Sequence, residues 1–401
     1  MGGRMASIDS VAAPGAGVVP PAETPAAAPG AVRSATRLLP LDWMRGVVMV
    51  LMTIDHASGA FNAGRTFGDS TMMWKPGTPL PLDQFLTRWI THLCAPTFVF
   101  LAGAALALSI ERRMARGEGA RSLDQFIVTR GLIIAALDPI WMSWVMIRPG
   151  AVLLQVLYAI GMGLICMAGL RRLPTGWLVG LSFAIALGGE ALSGIVILAG
   201  GERPTVPGAL VLTGGMFPPL LAAYPLLPWL SVMMLGWAFG RGLAGGGARP
   251  ERWLGWAGAG GLALFAAARG LNGYGNMGLL REDGSLAHWL HVSKYPPSIT
   301  FLALELGLMA LALAALFAVA RRAGDAPWLR PLAVFGQTAL FFYVIHVHVL
   351  NLWAWALGMH KTAGLGATYL SALVFLLAAY PLCTWYRRYK QAHPDGWVRY
   401  L

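Results

Sequence analysis

The chain has 401 residues, of which 57% are hydrophobic and only 12% are charged, and its mean hydropathy is +0.60. Soluble proteins carry about a quarter of their residues as charged ones, so the composition excludes a soluble multi-domain enzyme and indicates a helical membrane protein. The net charge of +12 does not indicate a nucleic-acid partner, because the basic residues fall in short runs between apolar stretches, as in membrane topology.

The N-terminal segment differs in composition from the rest of the chain. Residues 1–36 are rich in Ala, Pro and Gly and predict a disordered tail without a signal peptide, because no continuous apolar region precedes the first helix. Residues 37–390 form the predicted membrane domain, and residues 391–401 form a short C-terminal tail.

Apolar stretches of about 20 residues, each long enough to cross a bilayer, follow this tail. We place about ten spans, at 39–58, 88–110, 126–147, 150–170, 175–199, 222–244, 252–270, 298–320, 332–356 and 366–386. The predicted fold class is therefore all-α, a polytopic integral membrane helical bundle.

The basic residues outside the spans predict the orientation of the chain. Most of them fall in alternate connecting segments, as Arg112 and Arg113 do after the second span. Because cytoplasmic loops are enriched in Lys and Arg, both termini are predicted to be cytoplasmic. The long loops on the outer side are then 59–87, 200–221 and 271–297.

Ionisable side chains inside a span are costly and normally face a cavity or a partner. In the first span, Arg45 and His56 lie about 16 Å apart along the axis and within about 20° of one helix face. Asp42 can pair with Arg45 at i, i+3. The alternative is that Asp42 and Arg45 anchor at the headgroups while Asp55 and His56 cap the outer end of the helix.

Later spans add further polar residues. Arg88 and His92 share a face of the second span, and Pro96 is expected to loosen that helix. The alternative for His92 is a packing role. His346 and His348 are two residues apart and point to different faces, which argues against a joint metal site.

The cysteines do not indicate metal or disulfide chemistry. Cys94, Cys166 and Cys383 lie far apart without CxxC spacing, which predicts small core residues. No phosphate-binding loop, serine-hydrolase elbow, HExxH motif or dinucleotide-binding fingerprint occurs in a suitable context.

Several stretches together resemble a known family. The Arg45–His56 pair resembles the first-span signature of the transmembrane acyltransferase superfamily. The stretches LDWMRGVVMVLMTIDH, FLTRWITHLCAPTFVFLAG, VSKYPPSITFLALELG and FFYVIHVHVLNLWAWA, in that order, look like bacterial proteins with the heparan-α-glucosaminide N-acetyltransferase catalytic domain. The resemblance extends from near residue 35 to Leu401.

The resemblance implies a membrane-bound acyltransferase of the acetyltransferase kind in the bacterial cytoplasmic (inner) membrane. Such a protein takes an acyl group from cytosolic acyl-CoA (acetyl-CoA) and places it on a hydroxyl or amine of a glycan or other small-molecule acceptor at the outer face. The essential Arg and His of the superfamily correspond to Arg45 and His56. The loop from Ala57 to Thr91, where the eukaryotic relative has its proposed active-site His, contains no His.

These arguments assign roles to named residues. The predicted catalytic residues are His56, as the general base, with His92 and Asp55. Direct transfer and a route through an acetyl-histidine both stay open. Arg45 is expected to attract the phosphates of the donor, and Arg88 to stabilise the oxyanion. The remaining predicted binding residues are Asp42, Asp83, Lys294, Tyr295 and His346. Either Asp83 or His92 is expected to orient His56 or to hold the acceptor.

Two other functions stay open on the residues alone. About ten spans with intramembrane charges also fit a transporter or permease for a small polar solute, and a non-catalytic scaffold is the third hypothesis. The predicted partners are the lipid bilayer, acyl-CoA and the acceptor, without nucleic acid or metal, and a homodimer is left open.

Overall fold

The computed structural model describes residues 38–246 and 249–393, together with Gly2, Gly3 and Gly396. The predicted tail at 1–36 lies outside the described residues apart from Gly2 and Gly3, as does most of the predicted tail at 391–401. The domain boundaries proposed at these tails therefore stay predictions.

The described chain is built almost entirely of helices. In its first half lie α1 (Leu39–Phe61), α2 (Leu82–Trp89), α3 (Cys94–Ala115), α4 (Ala120–Leu137), a π-helical turn (Asp138–Met142), α5 (Ser143–Met146), strand β1 (Val152–Leu154), α6 (Val156–Leu170), α7 (Thr175–Ala199), α8 (Val206–Gly208) and a second π-helical turn (Ala209–Thr213). The second half contains β2 (Gly215–Phe217), β3 (Leu220–Ala222), α9 (Leu226–Ala244), α10 (Pro250–Leu271), α11 (Leu286–Leu290), α12 (Ile299–Ala323), a 3₁₀ turn (Pro327–Leu329), α13 (Arg330–Gln337), α14 (Ala339–Ala356) and α15 (Leu365–Ala392).

Within the described ranges, seven helical segments are long and apolar enough to cross a membrane, which confirms the all-α membrane fold. They are Leu82–Ala115, Ala120–Met146, Thr175–Ala199, Leu226–Ala244, Ile299–Ala323, Ala339–Ala356 and Leu365–Ala392. The three other predicted spans contain α1, α6 and α10. Helix α6 has only 15 residues, whereas α1 and α10 have 23 and 22 residues but carry charged residues such as Arg45 and Arg269. The count of ten spans stays a prediction.

Helix α1 occupies the centre of the bundle, where it packs against α3, α12, α13, α14 and α15. Most of its residues are buried, including Val48 and Met49. The outer helices instead expose large apolar side chains, for example Trp177 on α7 and Leu377 on α15. Such surfaces are suited to lipid, so the polar residues of α1 are shielded from lipid by its neighbours.

A small three-stranded sheet departs from the predicted all-helical pattern. Strand β1 pairs in parallel with β3, in the register Val152 to Leu220, and β2 pairs antiparallel with β3. The predicted spans at 150–170 and 222–244 therefore begin later, at α6 and α9. The later start of these two helices is explained in part by Pro149 and the Pro218-Pro219 pair, because proline lacks the N–H that a helix interior requires.

The second predicted span is broken, and the break lies before Pro96 rather than at it. Helix α2 ends at Trp89 and α3 begins at Cys94, with a turn between them. Pro96 lies in the first turn of α3, where proline is tolerated. If the helix continued without a break from α2 into α3, the ring of Pro96 would clash with the carbonyl group of His92, four residues earlier. The break turns Arg88 and His92 toward the loop that follows α1.

Glycines bring α3 and α9 into close contact. A Cβ atom at Gly236 of α9 would overlap the carbonyl oxygen of Phe100 in α3, and a Cβ at Gly103 of α3 would overlap that of Met233 in α9. Close backbone approach through small residues is the usual packing of helices in a bilayer. This contact holds the face of α3 that borders the site described next.

Candidate active site

Two neighbouring cavities lie beside α1. The first, here called the histidine cavity, has a volume of about 280 Å³, and its charged and histidine lining residues are Asp55, His56, Arg65, Arg88 and Lys294. The second, here called the arginine cavity, has a volume of about 250 Å³, and its basic lining residues are Arg45, Arg130 and Lys390. Phe98, Val156 and Tyr343 belong to the walls of both.

His56 lines the histidine cavity and contacts a second histidine behind it. Its Nδ1 lies 2.6 Å from Nε2 of His346, which is fully buried in α14. The Nδ1 of His346 lies 2.7 Å from the carbonyl oxygen of Tyr343 and 3.1 Å from that of Phe342. His346 was predicted to bind substrate, but it does not line the cavity and its contact is with His56.

Asp55 is the anion of a buried ion network. Its Oδ1 accepts hydrogen bonds from Nη1 of Arg88 at 2.7 Å and from Nη2 of Arg65 at 2.9 Å. Its carbonyl oxygen also accepts from Nη1 of Arg65 at 2.5 Å. Asp55 therefore positions two guanidinium groups at the cavity wall, and its carboxylate is committed to them rather than to His56.

Asp69 continues this network on the far side of Arg88. Its Oδ2 accepts from Nη2 and Nε of Arg88 at 2.6 and 2.9 Å, and its Oδ1 lies 3.3 Å from Nε2 of His92. Burial alone would raise the pKa of Asp69, but the charge of Arg88, followed by that of His92, outweighs burial and holds this pKa well below its usual range. Asp69 is thus an anion that fixes Arg88.

His92 does not share the cavity with His56. It is buried behind Arg88, against the ring of Phe301 at 5.9 Å between centroids, and it is not among the cavity-lining residues. Asp83, predicted as a residue that orients His56 or holds the acceptor, is exposed in the first turn of α2 and lines neither cavity. The two residues proposed to orient His56 are thus apart from it in this structure.

Lys294 and Tyr295 reach the histidine cavity from the loop before α12. The backbone N–H of Lys294 donates to the carbonyl oxygen of Asp69 at 2.8 Å, which ties this loop to the loop after α1. The Lys294 side chain is buried, and its Nζ lies 5.4 Å from the centre of the Tyr295 ring. Within the described part of the chain, Nζ makes no hydrogen bond or ion pair. It is therefore a cation available to a ligand.

Arg45, which was predicted to act together with His56, lines the arginine cavity. Asp42 accepts from Nη1 of Arg45 at 3.0 Å, as the i, i+3 spacing predicted, and from Nε2 of Gln337 at 3.1 Å. Nη2 of Arg45 donates to the carbonyl oxygen of Leu101 at 3.3 Å. Arg130 makes no hydrogen bond or ion pair with any residue in the described ranges, so the cavity presents an uncompensated cation.

The histidines of the outer loop have a structural role. Nη2 of Arg269 donates to the carbonyl oxygens of His288 and His291 at 2.7 and 2.5 Å. Nε2 of His291 lies 2.7 Å from the carbonyl oxygen of Gly68, and burial lowers the pKa of His291. These contacts join α10, this loop and the loop after α1, and they support Lys294.

Sequence reasoning missed Arg65 and Asp69. Both lie in the loop after α1, and no spacing links either residue to Arg88. Arg130 carried a usable signal, since it is an arginine inside an apolar span, but the expected site did not include it. In the described residues, no group of three or more His, Cys, Asp or Glu side chains is placed to hold a metal ion.

The fold and the site together define an integral membrane helical protein with histidines and ion pairs buried beside an internal cavity. Residues 37–267, more than half of the chain, match the family described as heparan-alpha-glucosaminide N-acetyltransferase, catalytic, and the chain belongs to this family. No curated protein matches the chain. Membership of this family indicates acyltransferase activity in general, and acetyl-CoA is the donor of such acetyltransferases. It favours acyl transfer over the transporter and scaffold hypotheses.

The matched range covers only part of the site. It includes Arg45, His56 and Arg88, whereas Lys294, Tyr295 and His346 lie beyond its end. The fold brings Lys294 and Tyr295 to the histidine cavity and places His346 behind His56. Their roles therefore depend on the geometry of this chain.

Proposed function

We propose that this protein transfers an acetyl group from cytosolic acetyl-CoA to a hydroxyl or amine of a glycan or other small acceptor at the outer face of the bacterial inner membrane. The observation that carries the proposal is the pair of adjoining cavities. One is basic and the other holds His56, and they share the walls formed by Phe98, Val156 and Tyr343.

The arginine cavity suits the nucleotide end of the donor. Arg45, Arg130 and Lys390 supply cations for its phosphates, and guanidinium groups bind phosphate well because of their fork geometry. Arg45 precedes His56 by eleven residues, or about 16 Å along α1. A flexible arm passing the shared walls would then bring the thioester, which supplies the activated acyl carbon, to the histidine cavity.

The histidine cavity suits the chemical step. His56 acts as the general base on the acceptor, because a neutral imidazole can take its proton during attack on the thioester carbonyl. Arg88, held by Asp55 and Asp69, and Lys294 lie on the same cavity wall and stabilise the negative charge that develops on the carbonyl oxygen. CoA thiolate then leaves and recovers the proton.

The charges of the cavity also bear on the acceptor. Arg65, Arg88 and Lys294 line it, and among the described residues Asp55 is the only carboxylate in its lining, with Asp69 behind. A cavity with an excess of positive charge repels an ammonium group. A neutral hydroxyl, or an acceptor that also carries an acidic group, fits it better than a protonated amine.

The proposal is tested with purified protein and acetyl-CoA labelled in the acetyl group. We expect the wild type to bind acetyl-CoA and to acetylate at least one member of a panel of neutral, acidic and amino sugars. His56→Gln should bind acetyl-CoA but lose transfer, and Arg130→Met should weaken binding. His360→Gln, at a histidine outside both cavities, is the matched control. Absence of acetyl-CoA binding in the wild type would refute the proposal.

A further inference from the structure

Nδ1 of His346 lies next to two backbone carbonyl oxygens. That nitrogen lies 2.7 Å from the carbonyl oxygen of Tyr343 and 3.1 Å from that of Phe342. A carbonyl oxygen only accepts hydrogen bonds, so a lone pair on Nδ1 at this distance would be repelled. Nδ1 of His346 therefore carries a proton.

The surroundings of His346 determine its charge state. The side chain is fully buried and surrounded by the rings of Phe342, Tyr343 and Phe375. No carboxylate in the described part of the chain lies within ion-pair distance of it. A charged imidazolium in such surroundings would be strongly unfavourable, so His346 is neutral and its Nε2 carries a lone pair.

The protonation of His346 determines which nitrogen of His56 carries a proton. Nδ1 of His56 lies 2.6 Å from Nε2 of His346, so one of the two nitrogens must donate a proton. Since Nε2 of His346 is the acceptor, Nδ1 of His56 is the donor. A neutral His56 has only one N–H, and its Nε2 is therefore left with a free lone pair.

We propose that His346 is a positioning residue that fixes the tautomer of His56, so that Nε2 is the basic nitrogen in the histidine cavity. The inference rests on the proposed function for its chemical consequence. Nε2 of His56 takes the proton of the acceptor O–H or N–H while the acceptor oxygen or nitrogen bonds to the acyl carbon. The C–S bond then breaks, and the CoA thiolate receives the proton from Nε2.

His346 also acts during this step. When His56 becomes an imidazolium, its Nδ1–H donates to Nε2 of His346 as a charged donor, and hydrogen bonds from charged donors are stronger than neutral ones. The role resembles that of a residue which orients the base of a catalytic triad, where loss of tautomer control lowers kcat by about 10⁴-fold. Here a neutral histidine, fixed by backbone carbonyls, takes that role.

Two substitutions separate positioning from packing. His346→Gln keeps an acceptor oxygen that can reach Nδ1 of His56, whereas His346→Met fills similar space without one. We expect His346→Met to lower kcat by on the order of 10²- to 10⁴-fold, with KM for acetyl-CoA and thermal stability nearly unchanged. We expect kcat of His346→Gln to be at least about tenfold higher than kcat of His346→Met. Equal impairment of both variants, in step with their thermal stability, would overturn the inference.

A spectroscopic readout makes the test independent of activity. The chain contains 8 histidines, so ¹⁵N-histidine-labelled protein in bilayers gives a spectrum that His56→Gln and His346→Gln can assign. We expect both His56 and His346 to show protonated Nδ1 and unprotonated Nε2, and His56 to lose this signature in His346→Met. A wild-type His56 protonated on Nε2 would overturn the inference even if acyl transfer is observed. If no transfer is observed, the proposed function fails and the spectrum still decides the tautomer.

Discussion

Arg88 is the residue on which the ion network of the site converges. Asp55 and Asp69 bind opposite edges of its guanidinium group at 2.7 and 2.6 Å, and His92 lies 3.3 Å from Asp69. All of these groups are largely buried, so removal of one partner leaves an uncompensated charge in a poorly solvated place. The network therefore holds Arg88 at the cavity wall.

Asp69→Asn tests this network. We expect the substitution to lower the free energy of unfolding by about 3–5 kcal/mol at neutral pH, since it leaves Arg88 with one buried anion fewer. Asp83→Asn, at an exposed aspartate in α2, is the matched control and should change stability by less than about 1 kcal/mol. Thermal unfolding in detergent, followed by a reporter dye, measures both.

The difference in the free energy of unfolding between wild type and Asp69→Asn should depend on pH. The reason is the depressed pKa of Asp69, where the effect of burial is outweighed by the charge of Arg88. A carboxyl whose folded-state pKa is depressed contributes stability that is present above its unfolded pKa, about 3.9. That stability is lost as the pH falls through the folded-state pKa. The gap between wild type and Asp69→Asn should stay constant from pH 8 down to about 4 and narrow below that. A stability difference that disappears by pH 6 would show that the Asp69–Arg88 ion pair does not cause it.

Lys294→Met tests the charge preference of the histidine cavity. A hydrogen bond to a charged group contributes about 1.5–3 kcal/mol, so loss of Lys294 should raise KM by on the order of tenfold or more for an acidic acceptor. KM for a neutral acceptor of the same size should change little. Steady-state kinetics with a matched pair of sugars, one with a carboxylate and one with a hydroxymethyl group, measures this. An equal rise in KM for both sugars would show that Lys294 does not select the acceptor by its charge.

At this scale, the sequence identified residues inside or next to apolar spans but, apart from the Asp42–Arg45 pair, not their partners. His56, Arg88, Lys294 and Tyr295 were predicted and do line one cavity, because a polar group at membrane depth needs a polar neighbour. Asp69 sits in a polar loop where an aspartate costs nothing, so its burial against Arg88 could not be foreseen. The contact between His56 and His346 joins residues 290 positions apart and depends on how α1 and α14 pack.

The crossing of α3 and α9 determines one wall of both cavities. Phe98 and Ala102 of α3 line the arginine cavity, and Cys94, Ala95 and Phe98 line the histidine cavity. Gly236 and Gly103 let the two helices approach so closely that no Cβ fits between them. The position of the site wall thus depends on glycines that are not part of the site.

Gly236→Ala should destabilise the protein because the added methyl group overlaps the Phe100 carbonyl. Overpacking of this kind costs about 1–3 kcal/mol or more, and the shift of α3 should also lower acyl transfer. Gly188→Ala in α7, where a Cβ meets no atom within 4 Å, is the control and should be neutral or stabilising by up to about 1 kcal/mol. Effects of the same sign and size in both variants would show that close packing at Gly236 is unimportant.

Element boundaries illustrate what hydropathy can and cannot predict. A helix lies in each predicted span, because an apolar stretch of sufficient length indicates a membrane helix, although α6 has only 15 residues. The sheet was missed because strands of three residues, such as Val152–Leu154 and Leu220–Ala222, are too short to show alternation. The break between α2 and α3 was expected at Pro96 and lies one turn earlier, where the proline ring meets the preceding carbonyl.

The membrane topology of the whole molecule depends on whether the short helix α6 crosses the membrane. If all ten predicted spans cross, the loop at Thr78 is outside and the segment at Asp325 is cytoplasmic. If α6 does not cross, every later segment changes side and Asp325 lies outside as well. The 15 residues of α6 would cover about 23 Å as a helix, less than a full hydrocarbon core.

Single cysteines decide the topology. In a background with Cys94, Cys166 and Cys383 replaced by alanine, we expect Thr78→Cys to react with a membrane-impermeant maleimide in intact cells. Asp325→Cys should react only after permeabilisation. Both positions are exposed, so a difference in labelling reports sidedness rather than burial. Labelling of both in intact cells would remove α6 from the count of spans.

Transfer across the bilayer is the central claim, and proteoliposomes test it directly. Acetyl-CoA with a labelled acetyl group is placed on one side and the acceptor identified by the sugar panel on the other. We predict that labelled product forms only when acetyl-CoA faces the arginine cavity and the acceptor faces the histidine cavity, and that His56→Gln forms none. Product formed equally well with both substrates on one side and none across the bilayer, or undiminished product from His56→Gln, would contradict the account.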